Sequence, residues 1–332
     1  MLSNNKRLCF RTRYGIVIAF SLFLVSQSLA QHQETHIKFS ETGSAIQEIP
    51  SLNGNKIRIQ LEKPKSDGPF PVLIGVEGGD GFHAFHRDTS KQILEAVNAL
   101  NILAVDFAPQ GRSGSEGEDN YHGFVHQDDL KAIVDYLTKQ PFVNNDMIGI
   151  LTISYGVALA TGALSRYPDM PIQFLIDWEG PAAPGRDIRR AFANKEAWIK
   201  NENVLSMLKK DEITSEKELH AIVLHGGKIG NDAYWDERDA SLFAARLSCP
   251  YLRIQGHIDH VQGTSKAAMM AIINAATSHS GQWTRCNDNP PNTIYKEQTL
   301  SQYHFHEEDI GIVINTILPK YIEEMFFQKP WK

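Results

Sequence analysis

The stretch Asp146-Met-Ile-Gly-Ile-Leu-Thr-Ile-Ser-Tyr-Gly-Val-Ala-Leu-Ala-Thr-Gly162 decides how the rest of the chain is read. Met147, Ile148, Ile150 and Leu151 make a short apolar run, the pattern of a buried strand. The chain then turns at Thr152-Ile153-Ser154-Tyr155-Gly156, because Gly156, Ala158, Ala160, Gly162 and Ala163 suit a helix packed close against a sheet. A serine between such a strand and helix sits in a strained turn with its hydroxyl exposed above the sheet. The next amide, that of Tyr155, faces whatever the hydroxyl attacks. Ser154 is the candidate nucleophile; the alternative is an ordinary turn serine.

This motif resembles the G-x-S-x-G nucleophile elbow of the α/β-hydrolase superfamily, with Thr152 in place of the first glycine. The approach to it extends the likeness. Leu130, Ile133, Val134 and Leu137 recur on one face of a helix, Asp128 and Asp129 suit its start, and Gln140 to Gly149 delivers the chain to the elbow strand. Over roughly residues 70 to 165 the passage resembles dienelactone hydrolases and the catalytic domains of prolyl-oligopeptidase-like enzymes. The resemblance implies an α/β-hydrolase fold, with a mostly parallel central sheet, helices on both faces and a helical cap insertion. It also implies a Ser-His-Asp triad and an oxyanion hole, with no cofactor or metal.

Before the elbow, Lys56 to Leu61 alternates polar and apolar residues, which predicts an antiparallel edge strand. Pro71 to Val76 is continuously apolar, a strand buried on both faces, and it runs into Glu77-Gly78-Gly79-Asp80-Gly81. In the resembled family this loop supplies the second oxyanion donor, here assigned to Gly78 and Gly79; a plain glycine turn is the alternative. His83 and His86 lack a third ligand in sequence and are assigned to surface or pocket wall. Leu94 to Leu100 predicts a helix, Ile102 to Asp106 a strand, and Phe107 to Gly117 a glycine- and serine-rich loop near the mouth of the site.

After the elbow, Ile172 to Asp177 predicts a sixth strand and Pro250 to Gly256 a seventh. The roughly sixty to seventy residues between them, about 178–247, predict a cap or lid. Trp178, Trp198, Tyr234 and Trp235 could wall a substrate pocket or form the core of the cap. Arg186, Arg189 and Arg190 would share a helix face, either solvated or binding a substrate carboxylate through Arg186 and Arg190. Gly256-His257-Ile258-Asp259 fits the family's G-x-x-D, which makes Asp259 the expected acid, with Asp177 and Glu179 as rivals. Ile294 to Glu297 predicts the last strand and Ile310 to Phe327 the last helix. Between them His304 is the preferred catalytic histidine and His306 the alternative. Ser154, Asp259, His304 is the chain order of the superfamily.

Residues 1–30 predict a cleaved signal peptide: Lys6, Arg7, Arg11 and Arg13, then apolar Gly15 to Val25, then Ser28-Leu29-Ala30. An uncleaved anchor is the alternative. Cys9 precedes the apolar run, so no lipoprotein cysteine follows it. Residues 31–332 would form the catalytic domain, long enough at 42% apolar content for one large core. Cleavage removes four cations and takes the net charge from -6 to -10. That balance argues against nucleic acid or an anionic membrane as partner. Cys249 and Cys286 could pair after export or remain buried thiols. The expected activity is hydrolysis of a carboxylic ester in the periplasm or outside the cell. A prolyl-oligopeptidase-like peptidase is the runner-up, and a non-catalytic binding protein of the same fold a third possibility.

Overall fold

The computed structural model describes residues 37–78, 84–85, 91–182, 232–259, 264–306 and 310–332. In chain order the strands are β1 (Ser44–Pro50), β2 (Lys56–Glu62), β3 (Phe70–Val76), β4 (Leu103–Ala108), β5 (Val143–Ile153), β6 (Ile172–Trp178), β7 (Tyr251–Ile254) and β8 (Thr284–Cys286). They form one sheet in the order β1-β2-β4-β3-β5-β6-β7-β8. β2 runs antiparallel to both its neighbours, and from β4 to β8 every pairing is parallel. Described helices are α1 (Lys91–Ala99), α2 (Phe124–Leu137), α3 (Gly156–Arg166), α4 (Asp232–Asp236), α5 (Ala240–Ala244), α6 (Ala267–Ala275) and α7 (Leu318–Glu323), the last within a helical run over 310–328. Wide helical turns at Val313–Ile317 precede Pro319. A proline inside a helix removes one amide donor and crowds the preceding turn, which a widened turn accommodates.

The parallel strands are buried on both faces, so their apolar runs are continuous rather than alternating. On one face Leu73, Leu151, Phe174, Ile176, Leu252 and Ile254 pack with α1 and the C-terminal run, through Ile93, Val97, Tyr321 and Phe326. α2, α3, α5 and α6 pack together as a separate helical layer. By the two-residue alternation of strands, Thr152, Asp177 and Arg253 face that second layer.

These three form a polar row across β5, β6 and β7. Asp177 is fully buried and accepts from Arg253 Nη1 at 2.5 Å, Tyr251 Oη at 2.7 Å and Thr152 Oγ1 at 3.2 Å. Its other bond, from the Gly180 amide at 3.1 Å, fixes the chain beyond β6. A buried carboxylate and guanidinium are tolerable only when paired and bonded in this way. The field of Asp177 holds the Arg253 guanidinium charged, against burial.

Several expectations change. The strand at Lys56–Glu62 is not the edge, because β1 covers it. The last strand is Thr284–Cys286, whereas residues 294–296 carry no regular structure and Glu297–Gln302 is a short 3₁₀ segment. Three residues sufficed to complete the sheet edge, too few for an apolar run to mark. Of the expected insertion at about 178–247, only residues 178–182 and 232–247 are described. Trp178 closes β6 and lies in the core cluster. α5 packs against α3 and α6 and belongs to the body. Trp235 is likewise buried, at 2% exposure. Cys249 and Cys286 are both free and buried, which pushes each thiol up to about 12. The leader at 1–30 and the remainder of the insertion, 183–231, lie outside the described residues.

Replacing Arg253 by Met strands a buried carboxylate, and the expected loss is about 3–5 kcal/mol in urea unfolding. Adding Asp177→Asn should recover a substantial part of it. Single and double variants of equal stability would show that the row is not an energetic unit.

Candidate active site

The chain passes from β3 outward to β4 and then returns to the other side of β3 as β5. In open α/β sheets such a reversal leaves a crevice beyond the carboxyl ends of the two strands. The elbow and the glycine loop stand on either side of it. Val76 pairs with Thr152, so Glu77-Gly78 and Ile153-Ser154 leave the sheet side by side.

Ser154 has φ 55, the left-handed region that costs a side-chain-bearing residue energy. Its amide donates to Trp178 O at 3.0 Å, one step beyond the last β5–β6 pair, and Val157 N returns to its carbonyl at 3.3 Å. The strain is held by a ladder bond below and the first turn of α3 above. Two glycines make room for it. A Cβ on Gly156 would lie 2.1 Å from Val76 O, and one on Gly78 would lie 2.2 Å from the Tyr155 amide nitrogen. Thr152, which departs from the family's first glycine, is buried and turns its hydroxyl to Asp177, so its extra atoms are used rather than crowded.

Beyond β6, Glu179 has φ 53, is buried, and accepts from the Gly256 amide at 2.5 Å. Beyond β7, Gln255 joins two of the expected groups. Its Nε2 donates to Asp259 Oδ2 at 3.0 Å, and its carbonyl accepts from the His306 amide at 3.1 Å. His257 N donates to His306 O at 2.7 Å, closing an isolated bridge between Gly256 and His306. Arg253 Nη2 stands 3.7 Å from Asp259 Oδ2, so the polar row ends at the expected acid.

His304 is exposed, with its backbone held by Asn287 and Asn289. His306 is buried, with Nε2 3.2 Å from Tyr321 Oη. Burial and the neighbouring His304 lower its pKa to about 4, against an opposing pull from Asp288 and Glu179. Ser154 follows β5, Asp259 follows β7 and His306 bridges Gly256, so all three lie beyond the carboxyl ends of parallel strands, with β6 between the first two. The Asp259 carboxylate accepts from Gln255, and the His306 ring faces Tyr321. Asp177 is committed to the polar row. The Gly78 amide bonds Glu77 Oε1 at 3.1 Å, so that amide is occupied. Gly79, His83, His86, Arg186, Arg189, Arg190 and Trp198 lie outside the described residues. Among the described residues no group of His, Cys, Asp and Glu is placed to hold a metal.

A second histidine pair went unassigned in the sequence. His122, in the turn before α2, and His126, in its first turn, are both fully buried. His126 Nδ1 accepts from the His122 amide at 3.0 Å, and its Nε2 faces Gln110 O at 3.0 Å. Burial and the nearby Arg112 charge hold both rings neutral, His126 at about 3 and His122 well below the ordinary value. Their spacing by four residues, on either side of Gly123-Phe124-Val125, is the available signal.

Because both rings are lowered, unfolded chains bind protons below pH ~6.5 that the native state refuses. Stability conferred by the neutral rings is whole above that pH and falls as the medium is acidified, by about 1.4 kcal/mol per pH unit for each histidine. Urea midpoints compared at pH 7 and pH 5 should drop accordingly. Equal midpoints would mean that the rings titrate normally.

No family model matches this chain. An uncharacterized protein of Escherichia coli, YcjY, is 31% identical over 68 residues, which are 20% of this chain and 22% of that protein. Solved structures resemble it over most of its length. An esterase of Pyrococcus furiosus superposes with TM-score 0.57 at 14% identity, covering 91% of this chain and 99% of the esterase. Est1E of Butyrivibrio proteoclasticus, solved with ferulic acid, gives 0.54 at 19%, covering 84% and 98%. The acylaminoacyl peptidase of Pyrococcus horikoshii gives 0.57 at 14%, covering 87% of this chain and 42% of the peptidase. Sheet order, reversal at β3, the strained turn at Ser154 and these superpositions agree that the chain has the α/β-hydrolase fold.

Proposed function

We propose that this protein is an exported serine hydrolase that cleaves a carboxylic ester through an acyl-enzyme. The observation that carries the reading is Ser154, held at φ 55 at the reversal of strand order, with the glycine loop packed against the Tyr155 amide. A strained serine is retained where its position is used. The ester reading is supported by two esterases, that of Pyrococcus furiosus and Est1E, each matched over nearly its whole length.

In this reading Ser154 Oγ attacks the ester carbonyl while a neutral imidazole takes its proton. The oxyanion is met by the Tyr155 amide and by a donor from the Gly78-Gly79 loop. The imidazolium then gives its proton to the departing alkoxide. Water, activated by the same imidazole, adds to the acyl carbon and releases the acid. The sequence favours His304 as the base, ahead of an aromatic residue at Phe305. The burial of His306 and its bridge to Gly256 favour His306, whose ring must turn from Tyr321 toward the serine. Asp259 is the preferred orienting acid. Glu179 is its rival, because its charge reaches His306. Arg186 and Arg190 are retained as candidate contacts for an acidic substrate group.

Ser154→Ala should abolish fluorophosphonate labelling and lower p-nitrophenyl ester turnover by roughly 10³-fold or more, with the fold intact. Wild-type turnover by that variant would remove the nucleophile. Asn substitution at His306 should cost far more rate than at His304, and Asp259→Asn more than Glu179→Gln. The reverse orders would reassign base and acid respectively. Pro-anilides beside the esters test the peptidase reading.

A further inference from the structure

The buried His122 has no part in the reaction just described, yet its ring bonds the loop on which that reaction depends. Its Nε2 lies 2.8 Å from Gly78 O. A carbonyl oxygen only accepts, so Nε2 carries the proton. Nδ1 is left as a bare lone pair with no hydrogen-bond partner among the described residues. The imidazole plane also stacks on Tyr155, the residue after the nucleophile, with ring centroids 6.3 Å apart and planes 18° from parallel. One side chain thus touches both halves of the expected oxyanion site.

The ring is held there at a cost. Tyr121 and His122 have φ 44 and φ 64, successive left-handed residues that bulky side chains seldom adopt. Arg238, 1% exposed, clamps this turn: Nε donates to Tyr121 O at 2.8 Å and Nη2 to Asn120 O, while Nη1 bonds Tyr234 O. His126 fixes the His122 amide from the other side. Strained backbone persists where surrounding bonds over-determine it, and such sites cluster where geometry serves function.

We propose that His122 is a positioning residue for the oxyanion hole, acting by donating its Nε2–H to the Gly78 carbonyl. Gly78 packs against the Tyr155 amide, where a Cβ on Gly78 would lie 2.2 Å from the Tyr155 nitrogen, so a bond that fixes Gly78 also fixes the surroundings of that donor. Held by His122 through Gly78 and through the stacked ring, the Tyr155 donor is aimed before substrate arrives, and preorganised donors lower the barrier because they need no rearrangement during the reaction. The proposal rests on the hydrolase reading.

Two variants separate the bond from the packing. His122→Phe keeps an aromatic face for Tyr155 and removes the donor, whereas His122→Gln restores an N–H near the original position. With a p-nitrophenyl ester, His122→Phe should lower kcat by roughly ten- to hundredfold with KM little changed, short of the ~10²–10³-fold cost of losing a direct donor. His122→Gln should recover most of kcat, and labelling by a fluorophosphonate should slow and recover in parallel. Nitrogen NMR of the wild-type imidazoles should show His122 protonated at Nε2, an arm that does not depend on any variant folding. The proposal is overturned by wild-type kcat in His122→Phe, by equal losses in both variants, or by a proton on Nδ1. A wild-type chain that neither labels nor turns over ester would instead overturn the hydrolase reading, and this proposal with it.

Discussion

The near-contact of three backbones, the end of β3, the turn at Ser154 and the start of α3, governs the geometry of everything above the sheet. With Val76 O and the Tyr155 amide within 2.1 and 2.2 Å of where a Cβ would sit on Gly156 and Gly78, any side chain at either position forces these segments apart. The approach aligns the Tyr155 amide with the glycine loop and obliges Ser154 to its left-handed conformation. The small faces of α3, buried from Gly156 to Leu164, let the helix follow its strand this closely.

A polar row beneath the sheet end keeps the neighbouring strands in register with that turn. Thr152, Asp177 and Arg253 connect β5 to β7, and Gln255 and Asp259 continue the connection into the loop beyond. The threonine that weakens the elbow motif belongs to this row, so the departure from glycine and the buried Asp177–Arg253 pair are one arrangement. Such a pair adds little net stability over apolar packing, but it tolerates only one register, since a slip would leave charges unmatched in the interior.

On the other flank, neutral histidines and a buried arginine do comparable work. Asp128 and Asp129 looked like partners of the helix dipole. Asp129 instead reaches Ser51 and Gln110, bonding the Gln110 amide at 2.8 Å and its side chain at 2.7 Å, while Asp128 pairs with Arg166 at 2.8 Å. The loop after β4, expected to be scaffold, is therefore pinned by α2. The polar side chains around the elbow spend their hydrogen bonds on backbone and loop ends, which is how irregular chain is held still near a site.

Local rules settled the strands from Phe70 to Ile254, the helices that flank the elbow strand and the position of Ser154 at a turn, because apolar runs and small-residue patterns act over a few residues. They also named the loops that carry Gly78 and Asp259, since each follows a legible strand. They could not show that β1 covers β2, that Thr284–Cys286 rather than residues 294–297 ends the sheet, or that Trp178 lies in the core. Those outcomes depend on which segments meet across the fold. Nor could spacing show that Asp177 belongs to Arg253, that Gln255 holds both Asp259 and the backbone of His306, or that His122 reaches back 44 residues to Gly78. A side chain's partner is fixed by the three-dimensional route of the chain, and burial makes finding that partner obligatory.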